Sequence, residues 1–137
     1  MHHTDDIFIV TFNEDGSTRY TTSVNKHQAG PVNEVRLGSF FSTSVRDTLK
    51  IIYVDFEYNY NAQGKITKAS QRTASKTPVI ANIFPDGSKQ VRPIQNTRTG
   101  RNQNLYLVPS TAYHLKNGEF IVAGSGSGYY KFGKVTF

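Results

Sequence analysis

The chain has 137 residues, a formal net charge of +6, no Cys, 9 Phe and 8 Tyr. This length predicts a single β domain over residues 1–137 with its own core, and the lack of Cys excludes disulfides and thiolate-ligated metals. The many aromatic residues argue against disorder. We find no apolar run of transmembrane length and no signal peptide, so we expect no membrane span. The compartment stays open: we expect the cytosol, or the extracellular space or a virion surface if a targeting segment or a larger chain is missing.

The first predicted element is a hairpin. Residues 7–12 and 18–24 are rich in β-branched and aromatic residues, and they flank the Gly-containing turn Asn13–Ser17. Residues 1–5, which precede this hairpin, are expected to be mobile because chain ends are rarely held in place.

The next clear element is a strand over residues 52–60, in which apolar and polar residues alternate. Because successive side chains of a strand point to opposite sides, the pattern predicts one buried face and one solvated face. The predicted buried face consists of Ile52, Val54, Phe56, Tyr58 and Tyr60. The predicted solvated face consists of Asp55, Glu57 and Asn59.

Turn residues divide the rest of the chain at short intervals. The turn Pro85–Ser88 suits a hairpin because Pro presets φ and Gly tolerates positive φ. The Asn117-Gly118 pair predicts a type I′ hairpin, whose two central residues both need positive φ. The remaining predicted strands bring the total to about ten and cover residues 65–70, 79–84, 89–94, 105–108, 112–116, 119–123 and 129–137.

Little room remains for helices. We expect at most one short helix or 3-10 turn, at residues 27–30 or 40–47. Many short strands separated by Gly, Pro and Asn turns predict an all-β fold, an antiparallel sandwich or barrel. The turns Asp15-Gly16-Ser17 and Asp86-Gly87-Ser88 have the same sequence, which common turn chemistry explains as well as duplication does.

The positive charge is concentrated in the middle of the chain. Residues 1–64 carry a net charge of −3, residues 65–104 carry +7, and residues 105–137 carry +2. The central stretch is also rich in Ser, Thr, Asn and Gln, notably at 67–77 and 95–104. If these two parts lie side by side, they form a basic and polar patch.

Three interpretations of this patch stay open. Basic residues on edge strands and loops protect a β protein from aggregation. Together with Tyr106, Tyr113, Tyr129 and Tyr130 they also suit a single-stranded nucleic-acid binder of barrel type, although no signature of a known module accompanies them. Thirdly, they suit recognition of a glycan-bearing or acidic protein surface. The candidate ligand-binding residues are Lys65, Lys68, Arg72, Lys76, Arg92, Arg98, Arg101 and Tyr106.

Catalytic, metal and cofactor signatures are weak. His2 and His3 resemble a tag remnant, and His27 and His114 have no ligand spacing, so we expect no metal. The segment Gly124–Gly128 is followed by a strand pattern and not by a helix, which favours a flexible turn over a phosphate loop, and we expect no cofactor. Asp55 and Glu57 on one strand face would suit a hydrolase, the least favoured hypothesis.

The hypothesis that we favour is a non-catalytic binding module that recognises a glycan-bearing or acidic surface through the basic, polar region. Domains of this size and composition also serve as accessory modules of secreted proteins or as surface domains of virus and phage particles, which is an analogy at the level of the fold. A nucleic-acid-binding barrel is the alternative. Hairpin patterns predict neither strand order nor oligomeric state.

Overall fold

The fold of the chain is all-β. The structure is a computed structural model that describes residues 2–26, 28–30, 38–56, 59–60, 76–94, 106–116, 118–126 and 129–137. The strands in these ranges are β1 His2–Thr4, β2 Ile7–Phe12, β3 Thr18–Val24, β4 Gln28–Gly30, β5 Phe40–Val45, β6 Thr48–Phe56, β7 Lys76–Ile83, β8 Lys89–Pro93, β9 Tyr106–Leu107, β10 Tyr113–His114, β11 Glu119–Gly126 and β12 Tyr129–Thr136. A 3-10 turn covers Pro109–Thr111.

The strands form antiparallel sheets. The central sheet has the order β5-β6-β7-β8. A second sheet has the order β10-β11-β12, with β9 also paired to β11, and β2 pairs with β3 as a hairpin. The short strands β1 and β4 pair with each other. In the chain, β1 precedes β2, and β4 follows β3.

The β2–β3 hairpin covers one face of the central sheet. Ile7 and Ile9 of β2 and Val24 of β3 are buried in one cluster with residues that alternate along β6 and β7. The residues contributed by the central sheet to this cluster are Ile51, Tyr53, Val79, Ala81 and Ile83. At about 1.5–3 kcal/mol for each fully buried aliphatic or Phe side chain, this cluster contributes much of the driving force for docking the hairpin.

The sheet of β9 to β12 covers the opposite face. Phe41 of β5, which pairs with Ile52, has its ring centre 5.0 Å from that of Phe120 of β11. The Lys50 ammonium lies 5.7 Å from the ring centre of Phe137, within cation–π range. The described chain is therefore an antiparallel sandwich of three layers, with the central sheet in the middle.

Burial on both faces corrects the prediction for the long strand. Residues 51–56 of β6 are all buried, and Asp55 is only 1% exposed, so the expected solvated face at Asp55 and Asn59 was wrong. The regular strand also ends at Phe56. The Tyr60 hydroxyl consequently lies 3.0 Å from that of Tyr53, on the face opposite Ile52, where the alternation pattern did not place it. Glu57 and Tyr58 lie outside the described residues.

The two Asp-Gly-Ser turns have closely similar geometry. In each, the Asp Oδ1 accepts hydrogen bonds from the Ser amide at 2.9 Å and from the Ser hydroxyl at 2.6 Å. The φ angles of Gly16 and Gly87 are 83° and 84°. The hydrogen bonds from Ser17 and Ser88 hold the pKa values of Asp15 and Asp86 below their usual range. Both predicted hairpins are confirmed.

The other predicted elements have mixed outcomes. The helix considered at 40–47 was wrong, because β5 occupies Phe40–Val45, and Gln28–Gly30 is strand β4. Gly118 has the predicted positive φ, 72°, whereas Asn117 lies outside the described residues, as does the strand expected at 65–70. Of the turn predicted at Gly124–Gly128, the first three residues belong to β11, and residues 127 and 128 lie outside the described residues.

The two similar turns provide a matched test of packing. An Ala at either Gly must adopt positive φ, but a Cβ at Gly87 would lie 3.1 Å from Tyr20 Cγ, whereas one at Gly16 meets nothing within 4 Å. We expect Gly16→Ala to lower the free energy of unfolding by about 1 kcal/mol and Gly87→Ala by about 2–4 kcal/mol. Urea unfolding measures both. Equal losses would contradict the packing of this turn against β3.

Candidate functional site

At one end of the central sheet, β6 and β8 finish and β7 begins. The basic stretches of the sequence are attached to these strand ends. Phe56, the last residue of β6, pairs with Lys76, the first residue of β7. The Ile94 amide, just after β8, donates to the Pro78 carbonyl at 2.7 Å. We call this part of the sheet, defined by Phe56, Lys76 and Ile94, the basic end.

Both basic stretches of the sequence are connected to the basic end. Residues 61–75 lie between Tyr60 and Lys76, and residues 95–105 lie between Ile94 and Tyr106. Both stretches are outside the described residues, and the predicted site residues Lys65, Lys68, Arg72, Arg98 and Arg101 belong to them. The end of the first stretch and the start of the second therefore lie at the same end of the β7–β8 hairpin.

The other predicted site residues lie on strands. Arg92 is exposed on β8, which is paired on one side only among the described strands. Lys76 begins β7, and Tyr106 begins β9 opposite Ser125 of β11. Arg92 shares its cross-strand row with Ile80 and Ile52. An exposed Arg on an edge strand also protects that edge from pairing with another chain.

A polar row leads across the sheet to the same edge strand. The Lys50 ammonium donates to Asn82 Oδ1 at 3.1 Å, and Asn82 Nδ2 is 3.5 Å from Gln90 Oε1 on β8. Cross-strand pairing places these side chains side by side, so Asn82 is buried with a partner. No sequence pattern indicates this row, because its members are far apart in the chain and become neighbours only through strand pairing.

A second polar cluster is buried on the opposite face of β6. Asp55 Oδ1 accepts from the Phe56 amide and from Asn59 Nδ2, both at 2.8 Å. Asp55 Oδ2 accepts from the Tyr60 hydroxyl at 3.0 Å, which leaves the Tyr53 hydroxyl as the donor to Tyr60. Burial raises the pKa of both tyrosines above the usual range. Because both carboxylate oxygens are engaged inside the protein, Asp55 supports the core in this structure.

Lys26 joins the hairpin to this region. It is 1% exposed, its amide is held by Asp6 Oδ1 at 3.0 Å, and its ammonium donates to the Gly38 carbonyl at 2.8 Å. Burial lowers the pKa of Lys26 to about 8, against the opposing effect of the Asp55 charge. A buried cation at the end of β3 carried no sequence signal, since a lone Lys after a strand ordinarily faces water.

The exposed aromatic side chains of the described ranges lie outside the basic end. Among the tyrosines considered for stacking, Tyr113 and Tyr130 are exposed on the β10–β12 sheet, and the side chains of Tyr106 and Tyr129 are not described. His114 packs on Phe120 with ring centres 4.8 Å apart, and His27 lies outside the described residues. In the described ranges, no group of three or more His, Cys, Asp or Glu side chains is arranged for a metal ion.

Comparison with protein-family models, with curated proteins and with solved structures finds no match to this chain. In the described part of the chain, no helical segment has the length and hydrophobicity that a bilayer crossing requires.

The buried ionisable groups predict a stability maximum at alkaline pH. Between pH about 8 and 10.5 the unfolded chain binds more protons at Lys26 than the folded chain, so the free energy of unfolding rises with pH. Above pH about 10, unfolded tyrosines lose protons that buried Tyr53 and Tyr60 keep, so the free energy falls. We expect a rise of about 1–3 kcal/mol before the fall.

Lys26→Met separates the two effects. This variant loses the rise that begins near pH 8 and keeps the fall at higher pH, because the tyrosines are unchanged. Denaturant unfolding at several pH values measures the slope, which does not depend on the overall stability of the variant. A rise of the same size in Lys26→Met would assign it to another group.

Proposed function

We propose that the chain is a non-catalytic module that binds an acidic glycan, one bearing sulfate or carboxylate groups, at the basic end. The single observation that supports this most is the hydrogen bond from the Ile94 amide to the Pro78 carbonyl, with Lys76 pairing with Phe56 beside it. This arrangement starts both basic stretches from the same end of one rigid sheet.

The two basic stretches carry charge of one sign. Residues 61–76 and 92–105 contain seven basic residues and no acidic residue. Such a concentration attracts polyanions and speeds their association at low ionic strength. Because the middle layer is held by a core on each of its faces, the strand ends form a rigid base for the connecting segments.

The residue types favour a glycan over other polyanions. Arg binds carboxylate or sulfate with two parallel hydrogen bonds, and Arg92, Arg98 and Arg101 belong to this region. Residues 95–104 also contain three Asn and two Gln. Amide side chains carry both donors and acceptors, which suit sugar hydroxyl groups. No RNP, KH or helix-turn-helix signature accompanies the basic residues, which disfavours the nucleic-acid alternative.

Replacement of two arginines tests the proposal. We expect Arg98→Gln with Arg101→Gln to weaken binding of a heparin-type sulfated oligosaccharide by about tenfold or more, since each charged hydrogen bond contributes about 1.5–3 kcal/mol. The matched control is Arg19→Gln with Arg46→Gln, which removes the same charge from two exposed positions elsewhere. Isothermal titration calorimetry at fixed salt measures both variants.

The same experiment separates the rival ligands. A desulfated oligosaccharide and an oligodeoxythymidine of matched length are titrated from about 50 to about 200 mM salt, because phosphate binding weakens steeply over this range. Tighter binding of the DNA than of the sulfated glycan would replace the proposal by the nucleic-acid alternative. Equal weakening in the two arginine pairs would show that net charge, and not this region, determines binding.

A further inference from the structure

The outer side of the β2–β3 hairpin is an exposed apolar surface. Along β2, buried Ile7 and Ile9 alternate with exposed Phe8, Val10 and Phe12, and Phe8 is 74% exposed. The buried residues contact the central sheet, so the exposed ones point away from it. We call Phe8, Val10 and Phe12 the hairpin face.

The outer side of the β10–β12 sheet is a second exposed apolar surface. Phe120 and Val122 of β11 are buried, whereas Ile121 between them is exposed. Ile121 pairs with Tyr113, and the other exposed aromatic residues here are Tyr130 and Phe132, the latter 79% exposed. We call Tyr113, Ile121, Tyr130 and Phe132 the sheet face. It lies on the opposite side of the molecule from the hairpin face, because the two layers cover opposite faces of the central sheet.

The two faces belong to regions of opposite charge. Residues 2–24 contain four acidic side chains and Arg19, a net charge of −3. Residues 113–137 contain Lys116, Lys131, Lys134 and only Glu119, a net charge of +2, and Glu119 forms an ion pair with Lys134. Two copies of the same region would therefore bring net charges of the same sign together, whereas one copy of each region brings opposite net charges together.

We infer that the occupant of each face is a second copy of this chain, and that the hairpin face of one molecule packs on the sheet face of the next. Such a contact joins different surfaces, so it generates a ring or an open chain of molecules. The basic end lies at the ends of the middle-layer strands, and this stacking leaves it accessible. The inference does not rest on the proposed glycan binding.

The size of the faces indicates a weak association. Five exposed aromatic side chains of about 150–250 Å² each, together with Val10 and Ile121, bury on the order of 1,000 Å² in total. Transient protein contacts bury less than about 1,200 Å². We therefore expect assembly at protein concentrations from about 10 to about 500 µM, measured by sedimentation velocity.

Variants that block one face each provide the main test. Phe8→Ser with Phe12→Ser blocks the hairpin face, and Tyr130→Ser with Phe132→Ser blocks the sheet face. Each variant alone is expected to be monomeric. An equimolar mixture is expected to form a dimer that grows no further, because one intact hairpin face and one intact sheet face remain. Phe40→Ser, which removes an exposed aromatic side chain from β5, is the control that assembles like the unmodified chain.

The Ser substitutions lie within strands and could prevent folding, so a further variant is placed outside the strands. Glu14→Lys lies in an exposed turn, reverses one charge beside the hairpin face, and is expected to weaken assembly about threefold or more at low salt. The inference is overturned by an unmodified chain that stays monomeric over the whole concentration range. It is also overturned if only one of the two blocked variants loses assembly, which indicates a symmetric dimer through that face, or if their mixture stays monomeric.

Discussion

The double coverage of β6 is the constraint on which the rest of the structure depends. Its backbone is paired on both edges, by β5 and β7, and its side chains from Ile51 to Phe56 are buried on both faces. Every group on this strand must therefore be apolar or find its partner inside the protein, because an unsatisfied buried polar group costs about 1–3 kcal/mol. Asp55 satisfies this condition through Asn59, Tyr60 and the Phe56 amide. On the other face, Lys50 satisfies it through Asn82 and the Phe137 ring.

The parts of the fold that depend on neighbouring residues were predictable from the sequence. The Asp-Gly-Ser turns are an example, since their hydrogen bonds connect residues two positions apart. The faces of β6 were not, because alternation of apolar and polar residues looks the same whether the polar partner is water or another side chain. Ile51 and Tyr53 on the supposedly wet face were the available signal for burial. On β2, both faces are apolar, and the sequence did not distinguish buried Ile9 from exposed Phe8.

The candidate site, like the fold, was predictable where it depends on local sequence and not where it depends on strand pairing. Counting charges along the chain located the basic residues, but whether their two stretches begin near each other depends on how β6, β7 and β8 are paired. The Pro85–Ser88 turn predicted the pairing of β7 with β8, whereas the pairing of Phe56 with Lys76, 20 positions apart, had no local signal. Arg92 was identified by its charge alone. Lys26 is buried, with hydrogen bonds to Asp6 and Gly38, and no local sequence pattern indicates this burial. Electrostatic predictions from sequence therefore identify exposed charges and miss buried ones.

The packing of the hairpin has a consequence for the order in which the protein forms. β2 and β3 can pair as soon as Val24 is synthesised, but the surface that covers Ile7 and Ile9 includes Ile83, which follows 59 residues later. At a synthesis rate of about 5–20 residues per second, both sides of the newly formed hairpin stay in water for several seconds. Only the docking of β6 and β7 ends this exposure. The four acidic residues of segment 2–24 oppose the aggregation of a nascent chain that exposes Phe8 and Phe12 during that time.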